Sequence, residues 1–290
     1  MHSIGERGPL APGLYFIATP IGAARDITLR ALDILATADV LAAEDTRTLR
    51  HLMEIHGIPL GDRPLVAYHD HNGEVARPRL LRALGEGKSV AYASEAGTPL
   101  VADPGFQLGR AAIAEGFTVT SAPGPSAVLA ALTVSGLPSD RFLFAGFLPQ
   151  QGGPRQRALA GLSDIAATVI FYESPKRVHR LLGELSASWG GDRQAVVCRE
   201  LTKRFEEVSR GTLEELEAAF AGRDVKGEVV VLVDRPGEGQ ADPAAVEEAL
   251  REALGRLRVK DAAAEVAAKF NLPRRDVYQT ALTLQGESKD

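Results

Sequence analysis

The feature that most constrains this chain is a regular alternation: strand-length apolar runs, each followed by a polar or Gly/Pro-rich loop and then an amphipathic segment. Residues 13–19 (GLYFIAT) are β-rich and are closed by Pro20 and Gly22. After Asp26 and Thr28, Leu29, Leu32 and Leu35 recur at helical spacing on one face. The cycle returns with VLAA (40–43) before a helix near 46–55 and LVAY (65–68) before a helix near 74–84. SVAYAS (89–94) then leads to a helix near 106–115, and FTVTSA (117–122) follows. This alternation predicts a mostly parallel sheet with helices on both faces.

After Pro123-Gly124-Pro125, an Ala/Leu-rich helix runs to about Ser135 and stops at Gly136. A second block reads as strands at 142–146, 168–173, 194–200 and 228–234, with helices near 154–162, 175–187 and 212–221. The expected class is therefore α/β, with domains at 13–124 and 125–235 behind an N-terminal tail at 1–12. A Gly/Pro-rich linker at 236–242 leads to a helical segment at 243–290. There Asp242 and Pro243 read as a helix start, with Val246, Leu250, Leu254 and Leu257 on one face. Asp261 opens a second helix, Asn271 closes it and Pro273 opens a third. With Lys269, Arg274 and Arg275 at the junction, the segment reads either as a helix-turn-helix or as a small bundle docked on the body.

Composition narrows the function classes. Among 290 residues, 45% hydrophobic and 24% charged exclude a disordered or collagen-like chain. Apolar runs such as residues 229–233 fall far short of the ~20 residues a membrane span requires. The polar start, MHSIGERGPLAPG, reads as a loose tail and not as a signal peptide. Cys198 is the only cysteine, which excludes an intrachain disulfide and a zinc–thiolate cluster and suits a reducing cytoplasm. A net charge of −5 argues against nonspecific coating of nucleic acid. Between 155 and 204, however, nine basic residues stand against five acidic ones. That run fits a local basic face for one RNA site, and equally a solvated surface.

Several motifs can be set aside. GEGKS (85–89) lacks the first glycine of a phosphate loop and runs from helix to strand. No G-x-G-x-x-G occurs, and Ser94 lies in S-E-A-G-T, not in a nucleophile elbow. His69-Asp70-His71-Asn72 carries ligand-type residues, but neighbours at a strand end point in different directions, so a pocket-shaping loop is expected and no metal. Two loops remain, SEAGTPLVADPG (94–105) and PGPSA (123–127), each between a strand and a helix. Both belong at the carboxyl edge of the sheet, where open α/β folds bind ligands. Gly97 and Gly105 permit close backbone approach, Pro99 and Pro104 stiffen the loop, and Thr98, Asp103 and Ser126 supply polar groups.

In order along the chain, ATPIG and DITLRAL (18–22, 26–32), AAEDTR (42–47), YHDHN (68–72) and these two loops accumulate into a signature. SGLPSDRFLFAGFLP (135–149), FYESPKR (171–177), RELTKRFEE (199–207) and GEVVVLV (227–233) complete it. From Leu14 to the end the chain resembles the tetrapyrrole methylase superfamily, and within it the branch that methylates a ribose hydroxyl of small-subunit ribosomal RNA. Two departures are visible: Glu95 stands where the family usually has aspartate, and Ala23-Ala24 where Asn-Leu is common.

The resemblance implies S-adenosylmethionine folded between the two α/β domains. Its contacts would fall on Ala96, Gly97, Thr98, Pro99 and Val101 of the first loop, on Ser126 and Ala127 of the second, and on Tyr172 and Leu201. It further implies methylation of a decoding-region cytidine in 16S rRNA of the small ribosomal subunit, by a homodimer. The proton acceptor would be Glu44, with Asp45 next, and Lys203 would engage an RNA phosphate. Left open is whether Glu44 instead caps the following helix or pairs with Arg47. Two rivals keep other functions in view. One is a methylase of a small tetrapyrrole, which AAEDTR, YHDHN and the C-terminal helices disfavour. The other is a ligand-sensing regulator that binds DNA through its tail.

Overall fold

The computed structural model describes residues 8–237, 243–270, 272 and 274–287. Asp242, Asn271 and Pro273, with residues 1–7 of the expected tail and 238–242 of the expected linker, lie outside the described residues.

The first sheet holds β1 (Gly13–Ile17), β2 (Val40–Ala43), β3 (Leu65–Ala67), β4 (Ser89–Ala93) and β5 (Val119–Ala122). Their order is β3-β2-β4-β1-β5, and every pair is parallel. The crossovers place α1 (Leu29–Thr37) and α2 (Thr46–Ile55) on one face, packed with Ile17, Leu41 and Ala93. On the other face α3 (Gly73–Gly85) and α4 (Phe106–Ala114) pack with Phe16, Val66 and Tyr92. Thr28 caps α1 through its side chain, which accepts the Ala31 N–H. The buried stripe of α1 is Ala31, Leu32, Ile34 and Leu35; Leu29, grouped with them on spacing alone, is 71% exposed. It sits at the first helical position, before the stripe turns inward.

The second sheet holds β6 (Phe142–Phe147), β7 (Thr168–Glu173), β8 (Gln194–Arg199), β9 (Glu207–Thr212) and β10 (Val229–Val233), ordered β6-β7-β10-β8-β9. Only β6–β7 is parallel, so this sheet is mixed. Strand β9 (EVSRGT) was not expected. It is a half-buried edge whose polar sequence carries no alternation to betray it. Helices α6 (Gly152–Leu162), α7 (Val178–Trp189) and α8 (Leu213–Phe220) cover one face. The other face takes α5 (Ala127–Ser135), whose Val128, Ala131 and Leu132 meet Ile170, Val196 and Leu232. Ile21, from the loop after β1, enters this same core beside Leu201, so the two α/β units share a packed seam.

Most cations of the run 155–204 are engaged by acids or carbonyls, while Arg157, Lys176 and Arg204 are exposed. Arg155 is 1% exposed and is held by Glu184 at 2.6 Å, Glu173 at 3.2 Å and the Pro149 carbonyl. Arg177 pairs with Glu173, Arg180 with Glu184 and Arg199 with Glu207. Arg193 is buried over Trp189 and donates to the Asp234 and Ser163 carbonyls. Arg155 and Arg199 thus pair across elements, and Arg180 pairs within α7.

Helices α9 (Pro243–Leu254), α10 (Val259–Phe270) and α11 (Arg274–Glu287) pack on one another. Their core, built on Leu250, Val266, Val277 and Ala281, draws on no residue of the α/β body. Asp261, expected to open a helix, lies in the first turn of α10. Among the described residues, no helix is long and apolar enough to cross a membrane.

Candidate active site

Because β1 to β5 run parallel, all five carboxyl ends lie on one edge of the sheet, and so do the loops that leave them. Segments distant in sequence converge there: Pro20–Gly22 after β1, Glu44 after β2, residues 94–105 after β4 and 123–126 after β5. The second unit closes the far side with Phe147, residues 172–175, Lys203 and residues 227–230. The cleft encloses about 610 Å³, within the range of small-ligand sites. An equally large groove lined by Leu81, Glu86 and Phe117 opens at the amino-terminal edge of the sheet, where these loops do not converge.

The first wall is tied together by short polar contacts. Ser94 Oγ donates to the Gly97 carbonyl at 2.9 Å, and Thr98 Oγ1 donates to the Pro125 carbonyl at 2.9 Å, joining the two loops. Leu100 and Ala102 hold left-handed φ values of 73° and 60°; across the cleft Glu200 and Thr202 hold 51° and 64°. Such conformations cost on the order of 1–3 kcal/mol each and persist where surrounding contacts impose them. Here they flank the cleft on both sides.

Ala96, Gly97, Thr98, Val101, Ser126, Ala127 and Tyr172 all line the cleft, as do Glu44 and Lys203. Pro99 and Leu201 do not; Leu201 is buried in the seam. Asp45 is also absent from the cleft wall. It caps α2, accepting the Arg47 N–H at 2.8 Å and pairing with the Arg47 guanidinium at 2.7 Å. Those hydrogen bonds from Arg47 hold its carboxyl down at about 2, so Asp45 takes the capping and pairing role that the sequence left open for Glu44. Lys203 is engaged as well, at 2.8 Å from Glu200 Oε1 and 3.0 Å from Glu228 Oε2. Burial would lower its ammonium, but these two carboxylates outweigh that and raise it. Two of its three N–H donors are thus committed to carboxylates.

Glu44 stands in a different environment. Its Oε2 is buried without a hydrogen-bond partner, and burial raises its carboxyl above the ordinary range. The Glu95 N–H works against that shift, while the charges of Glu95 and Asp70 add to it. Asp103 is the residue the sequence undervalued. Burial, then the charges of Glu44 and Glu95, push its carboxyl up to about 7. Its segment, ADPG, was visible, but the role comes from burial beside two acids, which no motif encodes. The Tyr172 hydroxyl is pushed up to about 12, chiefly by burial.

Among the described residues, no group of three His, Cys, Asp or Glu is placed to hold a metal. In the 69–72 loop, Asn72 accepts the His69 N–H at 2.9 Å and donates to the Ala67 carbonyl at 3.0 Å. That side chain shapes the loop.

Comparison with known proteins agrees with this architecture. Residues 13–217 match the family model of tetrapyrrole (corrin/porphyrin) methylases, and residues 240–285 match the RsmI C-terminal HTH domain. The chain is 49% identical over 282 residues to the ribosomal RNA small subunit methyltransferase I of Mesorhizobium japonicum, covering 97% of this chain and 95% of that protein. It is 44% identical to the protein of the same name in Xylella fastidiosa, with 92% and 98% covered. A solved uroporphyrin-III C-methyltransferase from Thermus thermophilus, complexed with S-adenosyl homocysteine, shares the fold: TM-score 0.54 and 20% identity over 77% of this chain and 97% of that one.

Proposed function

Since the chain belongs to the tetrapyrrole (corrin/porphyrin) methylase family, we propose that it transfers a methyl group from S-adenosylmethionine to the ribose 2′-hydroxyl of a decoding-region cytidine in 16S ribosomal RNA. The single observation that carries the chemistry is the cleft, where small loop residues face a carboxylate, Glu44, whose Oε2 has no partner among the described residues. The relatives' names carry the choice of RNA over a tetrapyrrole or a DNA operator.

The cleft fits the cofactor. Ala96, Val101 and Ala127 are small or slender apolar linings, and Ser126 brings a hydroxyl that does not cap the helix it opens. Glu44, Glu95, Asp103 and Glu228 make the walls acidic, which suits a cationic ligand. When bound, S-adenosylmethionine supplies an electrophilic methyl group, the C–S pair returning to sulfur. The protein's share is to hold the hydroxyl in line and to take its proton. Glu44 takes it: burial makes its carboxylate a stronger base than an exposed glutamate, and its free oxygen has capacity to accept. Asp103, half-buried nearby, feels the Glu44 charge, which with burial holds its own carboxyl up at about 7.

The small ribosomal subunit places the enzyme in the cytoplasm. The homodimer implied by the resemblance is carried forward, and the exposed Leu129 and Phe142 are apolar surface that a second copy can cover. Mass spectrometry of 16S rRNA from a deletion strain tests the function. One ribose methyl should be missing, and the purified enzyme with S-adenosylmethionine should restore it on isolated subunits. An unchanged rRNA overturns the reading.

A further inference from the structure

A second cavity of about 600 Å³ opens beside the cleft, between the loop after β3 and the start of α4. We infer that this cavity receives the target nucleotide swung out of the RNA, with the ribose at Asp103 and the base between Phe106 and Arg77. The inference rests on the proposed methyl transfer and adds where its acceptor sits and what recognises it.

Three observations carry it. First, the cavities meet. Asp103 lines both, and the Glu44 carboxyl responds to Glu95 in the cleft and to Asp70 and His69 in the second cavity. A group seated here has its reactive atom where the buried carboxylates are. Second, the cavity carries unspent hydrogen-bonding capacity. His69 Nδ1 is buried without a partner. Arg77 is half-buried and has no carboxylate partner among the described residues; its one engagement is the buried Tyr68 hydroxyl. A guanidinium has five N–H donors, so most remain to offer. Third, Phe106 at the cavity mouth is 60% exposed, while Leu108 in the same turn of the helix is fully buried. Arg110 lies over its ring at 5.8 Å.

Donors inside, an acid at the wall shared with the cofactor cleft and an aromatic face at the mouth define the ligand class. It is a flat, polar-edged base attached to a sugar. Proteins read unpaired RNA this way, stacking a base on an aromatic or guanidinium plane and bonding its pairing edge. A cytosine edge presents two acceptors and one amine donor. Arg77 and Gln107 can donate to the acceptors, and Glu74 can accept from the amine. The volume lies within the range of pockets that enclose small ligands.

The test uses the full-length enzyme and small subunits from the deletion strain, and measures kcat/KM for the subunit together with calorimetric affinity for S-adenosylmethionine. Phe106→Ala and Arg77→Gln should each lower kcat/KM about tenfold, as loss of one base stack does. Affinity for S-adenosylmethionine should stay within about twofold, which also shows that the variants are folded. Phe106→Tyr keeps the aromatic face and should restore the rate. Wild-type kcat/KM in both variants overturns the inference while leaving the methyltransferase reading standing. Cofactor affinity that falls in step with kcat/KM assigns the cavity to the cofactor and also overturns it. A wild-type enzyme that methylates no subunit overturns the reading and, with it, the inference.

Discussion

Thr19 and Gly97 exchange two backbone hydrogen bonds, at 2.9 and 3.0 Å, forming an isolated antiparallel bridge that lashes the loop after β1 to the loop after β4. Thr19 Oγ1 adds a third tie, to the Ser94 carbonyl at 3.2 Å. Gly97 therefore has its N–H and carbonyl committed to the protein, and its φ of +83° is what the bridge demands. A Cβ there would meet Ile21 only at 3.4 Å, so backbone conformation, not crowding, makes glycine necessary.

Gly97→Val should therefore act through the loop. A β-branched residue at this φ costs about 1–3 kcal/mol, enough to release the bridge. The expected result is a lower melting temperature and at least a tenfold loss of S-adenosylmethionine affinity, with Gly97→Ala intermediate. Calorimetry on a folded variant with unchanged affinity would remove Gly97 from the site.

Gly22 lies where the two units approach closely. A Cβ there would lie 2.5 Å from Lys203 Cγ, 2.6 Å from Thr202 Oγ1 and 3.1 Å from the Leu201 carbonyl. Thr202 is not free to yield, because its Oγ1 accepts the Ala23 N–H. Gly22→Val should thus wedge the cleft and weaken cofactor binding about tenfold or more. Thermal melts and calorimetry on Gly22→Ala and Gly22→Val should grade with side-chain size; equal behaviour of the two would remove the wedge argument.

Glu44→Gln keeps the shape and removes the proposed base. Turnover should fall on the order of 10²-fold or more with S-adenosylmethionine affinity nearly unchanged. The wild-type rate should rise with pH as the Glu44–Asp103 pair ionises, since a base works only when deprotonated. Glu44→Gln also removes a like charge beside Asp103, so the Asp103 carboxyl should titrate at lower pH in that variant. An Asp103 titration that Glu44→Gln leaves unmoved would uncouple the two acids.

Stability carries the opposite sign. The Asp103 carboxyl sits near 7 in the folded protein, against 3.8 for its ordinary value. Between those values the folded state holds a proton that the unfolded state has lost, so this group's contribution falls as pH rises through that window. Asp103→Asn should raise the melting temperature at pH 8 relative to wild type and do little at pH 4. Differential scanning at the two pH values reads the difference directly.

Arg155 offers a purely structural test. Its guanidinium and the Glu173 carboxylate are each 1% exposed, and its loss would leave Glu173 to Arg177 and the Ser174 N–H, and Glu184 to Arg180. Arg155→Ala should destabilise by about 1–3 kcal/mol by denaturant titration, through lost charge-assisted hydrogen bonds at a buried site.

Truncation after Asp234 should spare the body, because the core of α9 to α11 is separate. Arg258, Lys260, Lys269, Arg274 and Arg275 are exposed on that unit. Its loss should weaken subunit binding and flatten its salt dependence while S-adenosylmethionine affinity holds. A full methylation rate across salt concentrations would make the tail structural only.

The sequence by itself determined the α/β alternation, the loops at the carboxyl edge and the three C-terminal helices. Each is a local property, carried by periodicity or by glycine and proline at short range. It also carried the family, through motifs whose order survives in one dimension. Burial and pairing across the fold were decided only in three dimensions. Strand β9 is polar in sequence and exists because β8 offers it an edge. Which cations of 155–204 meet acids was also set by folding: Arg155 found Glu173 and Glu184, and Arg199 found Glu207. Asp45 and Glu44 are adjacent and chemically alike, yet one is neutralised by Arg47 while the other is buried with an oxygen unpaired. Asp103 became their rival because desolvation and two neighbouring charges act through space, over distances that the order of residues does not record.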